Sequence, residues 1–283
     1  MYTPQGFEPG HALPEALPGT AIAFAFSEGK LLVTDPAPGT TAVRLPTWAD
    51  LAGMAVTGSP HYLGTWHGES CVAVNVEGEG PEVPPPGWQF SGLRPLFFAM
   101  PEPLVALAGR AFQIVEWDRT HRFCGHCATP MRSKPVERAR ECPACGHTAY
   151  PRVSPAMMVL VTRGREMLLA RASRFPSGVF SALAGFVEPG ETLEDCTARE
   201  VREEVGIEIE GTVYFGSQSW AFPHSLMIAF NARYAGGELR PDGTEIAEAR
   251  WFTPEDLPAM PTSLSIARKL IDATAQRLRA IAP

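Results

Sequence analysis

Short apolar runs separated by turn residues fill the first third of the chain. Ala21–Phe26 (AIAFAF), Leu31–Thr34 (LLVT), His61–Trp66 (HYLGTW) and Cys71–Val76 (CVAVNV) each have strand length and composition. Residues 1–20 and 78–88 are rich in Pro and Gly and read as loops, the second carrying two acids. From Glu102 the pattern changes to a helical period. Leu104, Ala108, Phe112 and Val115 share a face, with Pro103 in the first turn, and the helix runs toward Cys124. Beyond Pro155, strand and helix signals alternate. Residues 155–162 and 165–170 read as a hairpin around Arg163-Gly164. Thr192–Val205 is a strong helix, Ser225–Tyr234 a long strand and Glu248–Phe252 a short one. The spacing of Ile266, Leu270, Thr274 and Leu278 predicts a last helix over 263–281, with Ser263 as its cap.

At roughly 100–200 residues per domain, 283 residues suggest two domains, or three if one is small. Hydrophobic residues at 45% and charged residues at 19% exclude a chain disordered throughout. The net charge of −7 argues against a strongly basic nucleic-acid grip, though not against one nucleotide or an RNA end. A local basic cluster, Arg132, Lys134, Arg138 and Arg140, is open to two readings, a solvated face or an RNA contact. No apolar run approaches the ~20 residues of a membrane span. The N-terminus lacks a basic start with an apolar core, and the final residues are not of the peroxisomal type. The expectation is a cytoplasmic protein. No G-x-G-x-x-G and no G-K-[ST] occurs, so dinucleotide-fold and P-loop sites have no support.

Four of the six cysteines form C-x2-C-x14-C-x2-C: Cys124, Cys127, Cys142 and Cys145. Two tight knuckles can turn four thiolates toward one Zn²⁺, and four protein ligands leave no open position, so the reading is a structural zinc. Two alternatives stay open: disulfides, or replacement of one cysteine by His121, His126 or His147. Cys71 and Cys196 read as ordinary buried thiols.

The sharpest chemistry lies in GFVEPGETLEDCTAREVREEVGI, Gly185–Ile207. Thr192 with Asp195 is a helix start and Gly206 a helix stop. At about 100° per residue, Glu200, Glu203 and Glu204 fall within one ~100° arc, apart from an apolar stripe of Ala198, Val201 and Val205. Three carboxylates on one face repel unless a cation sits among them, and hard oxygen ligands suit Mg²⁺ or Mn²⁺.

These residues resemble the Nudix box, G-x5-E-x7-R-E-U-x-E-E-x-G-U with U aliphatic, at every defining position. The resemblance implies an α/β/α sandwich and hydrolysis of a nucleoside diphosphate linked to another group. It makes Glu200, Glu203 and Glu204 the ligands of the catalytic ions; the same three are read as the catalytic residues, a glutamate at the metal shell accepting the water's proton, with Glu204 chosen for that part. It pairs Glu191 with Arg199. Downstream, SQSWAFPHS (Ser217–Ser225) resembles the S-Q-P-W-P-F-P-x-S array of the NADH pyrophosphatase branch, departing at Ser219 and Ala221. That branch implies a multidomain α+β and α/β chain: an N-terminal β-rich domain over 1–118, a zinc ribbon over 119–153 and a Nudix domain over 154–283. It also implies a homodimer. Glu245, in D-G-T-E-I, would add a metal ligand. Tyr150 and Phe186, from different protomers, would stack a base. Gln218, Trp220, Ser225 and Ala267 align with contacts to the nucleotide.

The function so implied is cleavage of NADH or NAD⁺ to nicotinamide mononucleotide and AMP, or of the same bond in an NAD-capped RNA. Two other readings compete. One is a Nudix hydrolase for another diphosphate such as ADP-ribose, which the Ser217–Ser225 array argues against. The other is a non-catalytic NAD(H)-sensing protein, which the intact box argues against.

Overall fold

The computed structural model describes residues 3–77 and 84–280. Both acids of the 78–88 loop and the last residue of the predicted C-terminal helix lie outside the described residues. Contacts divide the chain into two compact units, one running up to Arg152 and one from Val153.

The first unit is built on a six-stranded sheet of β1 (Phe7–Pro9), β2 (Ile22–Ser27), β3 (Lys30–Thr34), β4 (Val56–Trp66), β5 (Glu69–Val76) and β6 (Trp88–Ser91), in the order β1-β4-β5-β2-β3-β6. β2 and β5 pair in parallel and the other neighbours antiparallel. The unbroken apolar runs of β2 and β5 follow from burial of both faces. Ala23, Ala25, Val72 and Val74 pack into a cluster with Leu32 and Leu51. On the opposite face Phe26 meets Phe112, ring centroids 5.7 Å apart, on α2 (Glu102–Thr120), which follows the single-turn α1 (Leu93–Leu96). Ala108 and Val115 of the predicted stripe are buried, while Leu104 and Phe112 are half-buried.

The four-cysteine module belongs to this unit. It carries the short strands β7 (Arg132–Ser133), β8 (Arg140–Glu141) and β9 (Thr148–Ala149). Its basic cluster is not one solvated face: Arg132 is exposed, while Arg138 and Arg140 are turned into the fold. Arg140 donates from Nε and Nη2 to Asp118 Oδ1 at 2.8 and 2.6 Å, and from Nη1 to the Met131 carbonyl. Asp118, on α2, is 3% exposed and also lies 3.5 Å from Nε2 of His61 on β4. Arg138 donates to the carbonyls of Gly10 and Tyr62. Lys134 pairs with Glu137, and Arg132 with Glu141. Two of the four cations therefore fasten the module to the sheet and helix beneath it.

The second unit has the sheet order β13-β14-β10-β11-β15, with β12 also on β10. The strands are β10 (Ser154–Arg163), β11 (Glu166–Ala172), β12 (Leu183–Phe186), β13 (Ile207–Trp220), β14 (Ser225–Gly237) and β15 (Ile246–Phe252). Alternate residues of β10 serve opposite cores. Met157, Val159 and Val161 pack with Val201 and Val205 of α3 (Leu193–Val205). Met158 and Leu160 pack with Leu270, Ile271 and Leu278 of α4 (Ile266–Arg279). The result is the expected α/β/α sandwich. Thr192 caps α3, accepting from the Asp195 N–H, and Gly206 ends it at φ +74°. The cap of α4 is Ser265, not Ser263: its side chain accepts from the Arg268 N–H, so the helix starts later than its apolar spacing predicts. Among the described residues no helix is long and apolar enough to cross a membrane.

The segment Ser217–Trp220 is the end of β13, and Ala221–His224 form the hairpin tip. β13 is an edge strand with three register shifts against β14. Each shift exchanges inward and outward positions, which erases the period-2 signal a strand otherwise shows.

Asp118 supplies the prediction from this part of the fold. Asp118→Ala leaves the Arg140 guanidinium buried without a counter-charge, and should destabilise the first unit by about 3–5 kcal/mol, read from urea unfolding.

Candidate active site

The box begins where β12 leaves the sheet. A Cβ at Gly185 would overlap the Glu200 carboxylate, which lies against the glycine from α3, so any larger residue there would displace that carboxylate. The loop that follows is tied by Glu191, whose Oε2 accepts from the Glu188 N–H at 3.1 Å. Arg199 then gathers the acids. It donates to Glu191 through Nε (2.6 Å) and Nη2 (2.9 Å). Through Nη1 it reaches Glu200 (2.9 Å) and Glu203 (3.0 Å), and Nη2 also reaches the Phe186 carbonyl (3.0 Å). The Glu191–Arg199 pairing is as the box implies. The bidentate bond and the Glu188 N–H hold the Glu191 carboxyl down at about 2.

Glu204 differs from its neighbours. It lies on the inner edge of α3 beside Val201 and Val205, 6% exposed, and its Oε2 has no hydrogen-bond partner among the described residues. Burial, together with the charges of Glu200, Glu245 and Asp242, pushes its carboxyl up to about 8, and Arg174 opposes that rise. Burial likewise raises Glu200, with Glu203 and Glu245 adding to it and Arg199 opposing. Glu203 is 59% exposed and turned to Arg199. Asp242 escaped the sequence reading. Its carboxylate accepts from the N–H groups of Glu245 (3.0 Å) and Ile246 (2.8 Å), and its own N–H donates to the Glu204 carbonyl at 3.0 Å. The turn bearing Glu245 is thereby fixed to the end of α3; an Asp three residues before the glutamate is the local signal for such a turn.

Glu200, Glu204 and Glu245 therefore act on one another, while Glu203 sits at the rim. The glutamates are not drawn into as tight a cluster as the cysteines. A buried carboxylate oxygen without a donor, among acids that repel it, fits a hard divalent cation.

The residues aligned with nucleotide contacts converge on the other face of the sheet. Phe186 pairs with Ala156, Ala156 with Met227, and Met227 with Gln218, a continuous row across four strands. By the alternation of the pleat, Phe186, Gln218, Trp220 and Ser225 project to the face covered by α4. Phe186 is 60% exposed, and Trp220 meets Phe222 edge-on at 5.0 Å. Gln218 is buried and its amide is committed: Nε2 donates to the Leu264 carbonyl and Oε1 accepts from the Ile266 N–H. It thus fixes the start of α4, where Ala267 is buried in the core. Ser225 is also buried. Tyr150 belongs to the first unit, is 57% exposed, and donates its hydroxyl to Glu137.

In the first unit, Cys124, Cys127, Cys142 and Cys145 bring their four sulfurs within 4.8 Å of one another, the one such group among the described residues. Three of the separations are 3.5–3.6 Å. Four thiolates about 2.3 Å from a tetrahedral zinc lie roughly 3.8 Å apart, so the residues fit the ion. The two knuckles repeat one backbone pattern. Ala128 N–H donates to the Cys124 carbonyl, and Gly146 N–H to the Cys142 carbonyl, both from left-handed residues at φ +60° and +74°. All six cysteines are free of disulfides, Cys71 and Cys196 are buried, and no histidine joins the four.

Comparison with known proteins agrees with this geometry. The chain matches the NUDIX domain over 152–273, the NADH pyrophosphatase-like rudimentary NUDIX domain over 20–117 and the NADH pyrophosphatase zinc ribbon domain over 119–150. A protein of Chromobacterium violaceum named NAD-capped RNA hydrolase NudC is 49% identical over 228 residues, 81% of this chain and 84% of that one. A protein of the same name from Deinococcus radiodurans is 46% identical over 263 residues, 92% of this chain and 89% of that one. The chain belongs to the Nudix hydrolases, and within them to the branch carrying an NADH pyrophosphatase zinc ribbon. Its four cysteines are that ribbon's structural zinc site.

Two predictions arise here. Cys142→Ser should reduce bound zinc from one ion per chain to near zero and lower the melting temperature, because metal binding and folding are coupled; metal analysis and calorimetry check both. The Glu191 carboxyl, depressed from 4.5 to about 2, contributes stability that is fully present above pH 4.5 and is lost as pH falls through 2. The difference in urea midpoint between wild type and Glu191→Gln should therefore be full at pH 6 and vanish toward pH 2.

Proposed function

We propose that the chain is a metal-dependent diphosphatase that cleaves NADH or NAD⁺ to nicotinamide mononucleotide and AMP, and the same bond where NAD caps the 5′ end of RNA. The observation that carries this reading is Glu204: a buried carboxyl with an unpartnered oxygen, in a complete box whose other acids are already placed by Arg199. The names of the relatives and the NADH pyrophosphatase domains support the substrate class.

Glu200, Glu203, Glu204 and Glu245 are the residues that would hold Mg²⁺ or Mn²⁺, and such ions supply neutralisation of the diphosphate and a more acidic bound water. The chain's own groups do the rest. In its ionised form Glu204 accepts the proton of the attacking water as the water oxygen bonds to one phosphorus and the bond from that phosphorus to the bridging oxygen breaks; the bridging oxygen leaves on the other phosphate. Arg199 keeps Glu200 and Glu203 oriented without touching the reacting atoms. Exposed Phe186 of one protomer and Tyr150 of another would each offer a flat face for an adenine or nicotinamide ring, and Trp220 and Ser225 stand at the same sheet end as Phe186. Gln218 and Ala267 set the start of α4 beside them. A cytoplasmic homodimer is part of this reading, tested by sedimentation of the purified chain. With Arg138 and Arg140 engaged inside the fold, we read recognition of RNA as recognition of its cap, so KM for capped RNA should depend only weakly on salt.

Glu204→Gln keeps the shape and removes the proton acceptor. Turnover of NADH with Mn²⁺ should fall by at least about 10²-fold, with an unchanged circular dichroism spectrum. Wild-type rates in this variant would place the base elsewhere, and a wild-type preference for ADP-ribose over NADH would overturn the substrate.

A further inference from the structure

We propose that Arg174 is a further substrate-binding residue, a guanidinium that grips the diphosphate at the Glu245 edge of the acidic cluster; the inference rests on the diphosphatase reading above. Arg174 lies on the loop between β11 and β12. The Phe175 N–H donates to the Ala172 carbonyl at 2.8 Å, closing a turn with Ser173 and Arg174 at its centre. That turn is fastened to the Glu245 segment by both donors of Ser173: its N–H reaches the Glu245 carbonyl and its hydroxyl the Thr244 carbonyl, each at 2.8 Å. Through Asp242 the same segment is tied to the end of α3. The chain thus presents a solvent-exposed arginine beside Glu245, and its charge reaches Glu204.

What distinguishes Arg174 is that it is not spent on a carboxylate. Arg199 is saturated by three glutamates, and Arg171, one turn away, pairs with Glu248. Among the described residues no acid lies within ion-pair distance of Arg174, although its charge acts on Glu204; its guanidinium lies over the ring of Phe175, 5.6 Å from the centroid. A cluster of acids binds cations and offers nothing to the phosphate oxygens themselves. A planar guanidinium does, because its paired N–H groups match two oxygens of a phosphate. The contact of Arg174 with the Phe175 ring is a weak cation–π attraction at an exposed site and leaves the N–H groups of the guanidinium free for phosphate oxygens.

The test compares wild type with Arg174→Gln and Arg174→Lys. It reads calorimetric affinity for a dinucleotide whose bridging diphosphate oxygen is replaced by methylene, and kcat/KM for NADH, both with Mn²⁺. Loss of one charge-assisted contact should weaken analogue binding and kcat/KM by about 10- to 100-fold in Arg174→Gln, with partial recovery in Arg174→Lys and an unchanged melting temperature. Equal affinity of wild type and Arg174→Gln for the analogue overturns the proposal. So does a loss that lysine does not relieve and that comes with a lowered melting temperature, which marks a structural role. Failure of the wild type to cleave NADH at all strikes the diphosphatase reading instead, and is told apart because it precedes any comparison of variants.

Discussion

The site depends on the distribution of one positive charge. Arg199 contacts Glu191, Glu200, Glu203 and the Phe186 carbonyl, and thereby holds the loop, the helix and the end of β12 in one arrangement. Carboxylates on neighbouring helical turns would otherwise repel and splay. Glu204 is left outside that set, desolvated on the inner edge of α3 and pushed to a high pKa by burial and by the acids around it. The acids that Arg199 contacts are fixed in position, while Glu204 keeps a buried oxygen without a hydrogen-bond partner among the described residues. Such an oxygen among neighbouring acids suits a hard divalent cation.

The sheet of the second unit then separates two tasks. Gly185 opens the α3 side of β12 to Glu200, and the next residue, Phe186, faces the α4 side. One residue of pleat alternation therefore links the carboxylate cluster to the residues aligned with nucleotide contacts. The row Phe186–Ala156–Met227–Gln218 carries that link rigidly across four strands, and Gln218 passes it to the first turn of α4. The buried amide of Gln218 bonds Leu264 and Ile266 at the start of α4, partners too distant in sequence for any local pattern to show.

Most of what local physics controls was legible in the sequence. The caps of α3, Thr192 and Gly206, were readable because side-chain capping and the left-handed stop act within four residues. The cysteine knuckles were readable because their spacing is itself the geometry. What escaped depends on distant partners. Arg140 looked like part of a basic face because Asp118, which neutralises it, stands 22 residues earlier on another element. Strand β13 was hidden by its own irregularity, three register shifts on a sheet edge. Ser265 displaced Ser263 as a cap because the hydrogen bonds of Gln218 decide where α4 begins.

The central claim is that water opens the bond between the two phosphates. Mass spectrometry of the products formed from NADH and Mn²⁺ in ¹⁸O-labelled water tests it directly. AMP and reduced nicotinamide mononucleotide are expected, with a single ¹⁸O on the phosphate of one of them. Free nicotinamide with an intact diphosphate, or products without label, would contradict it.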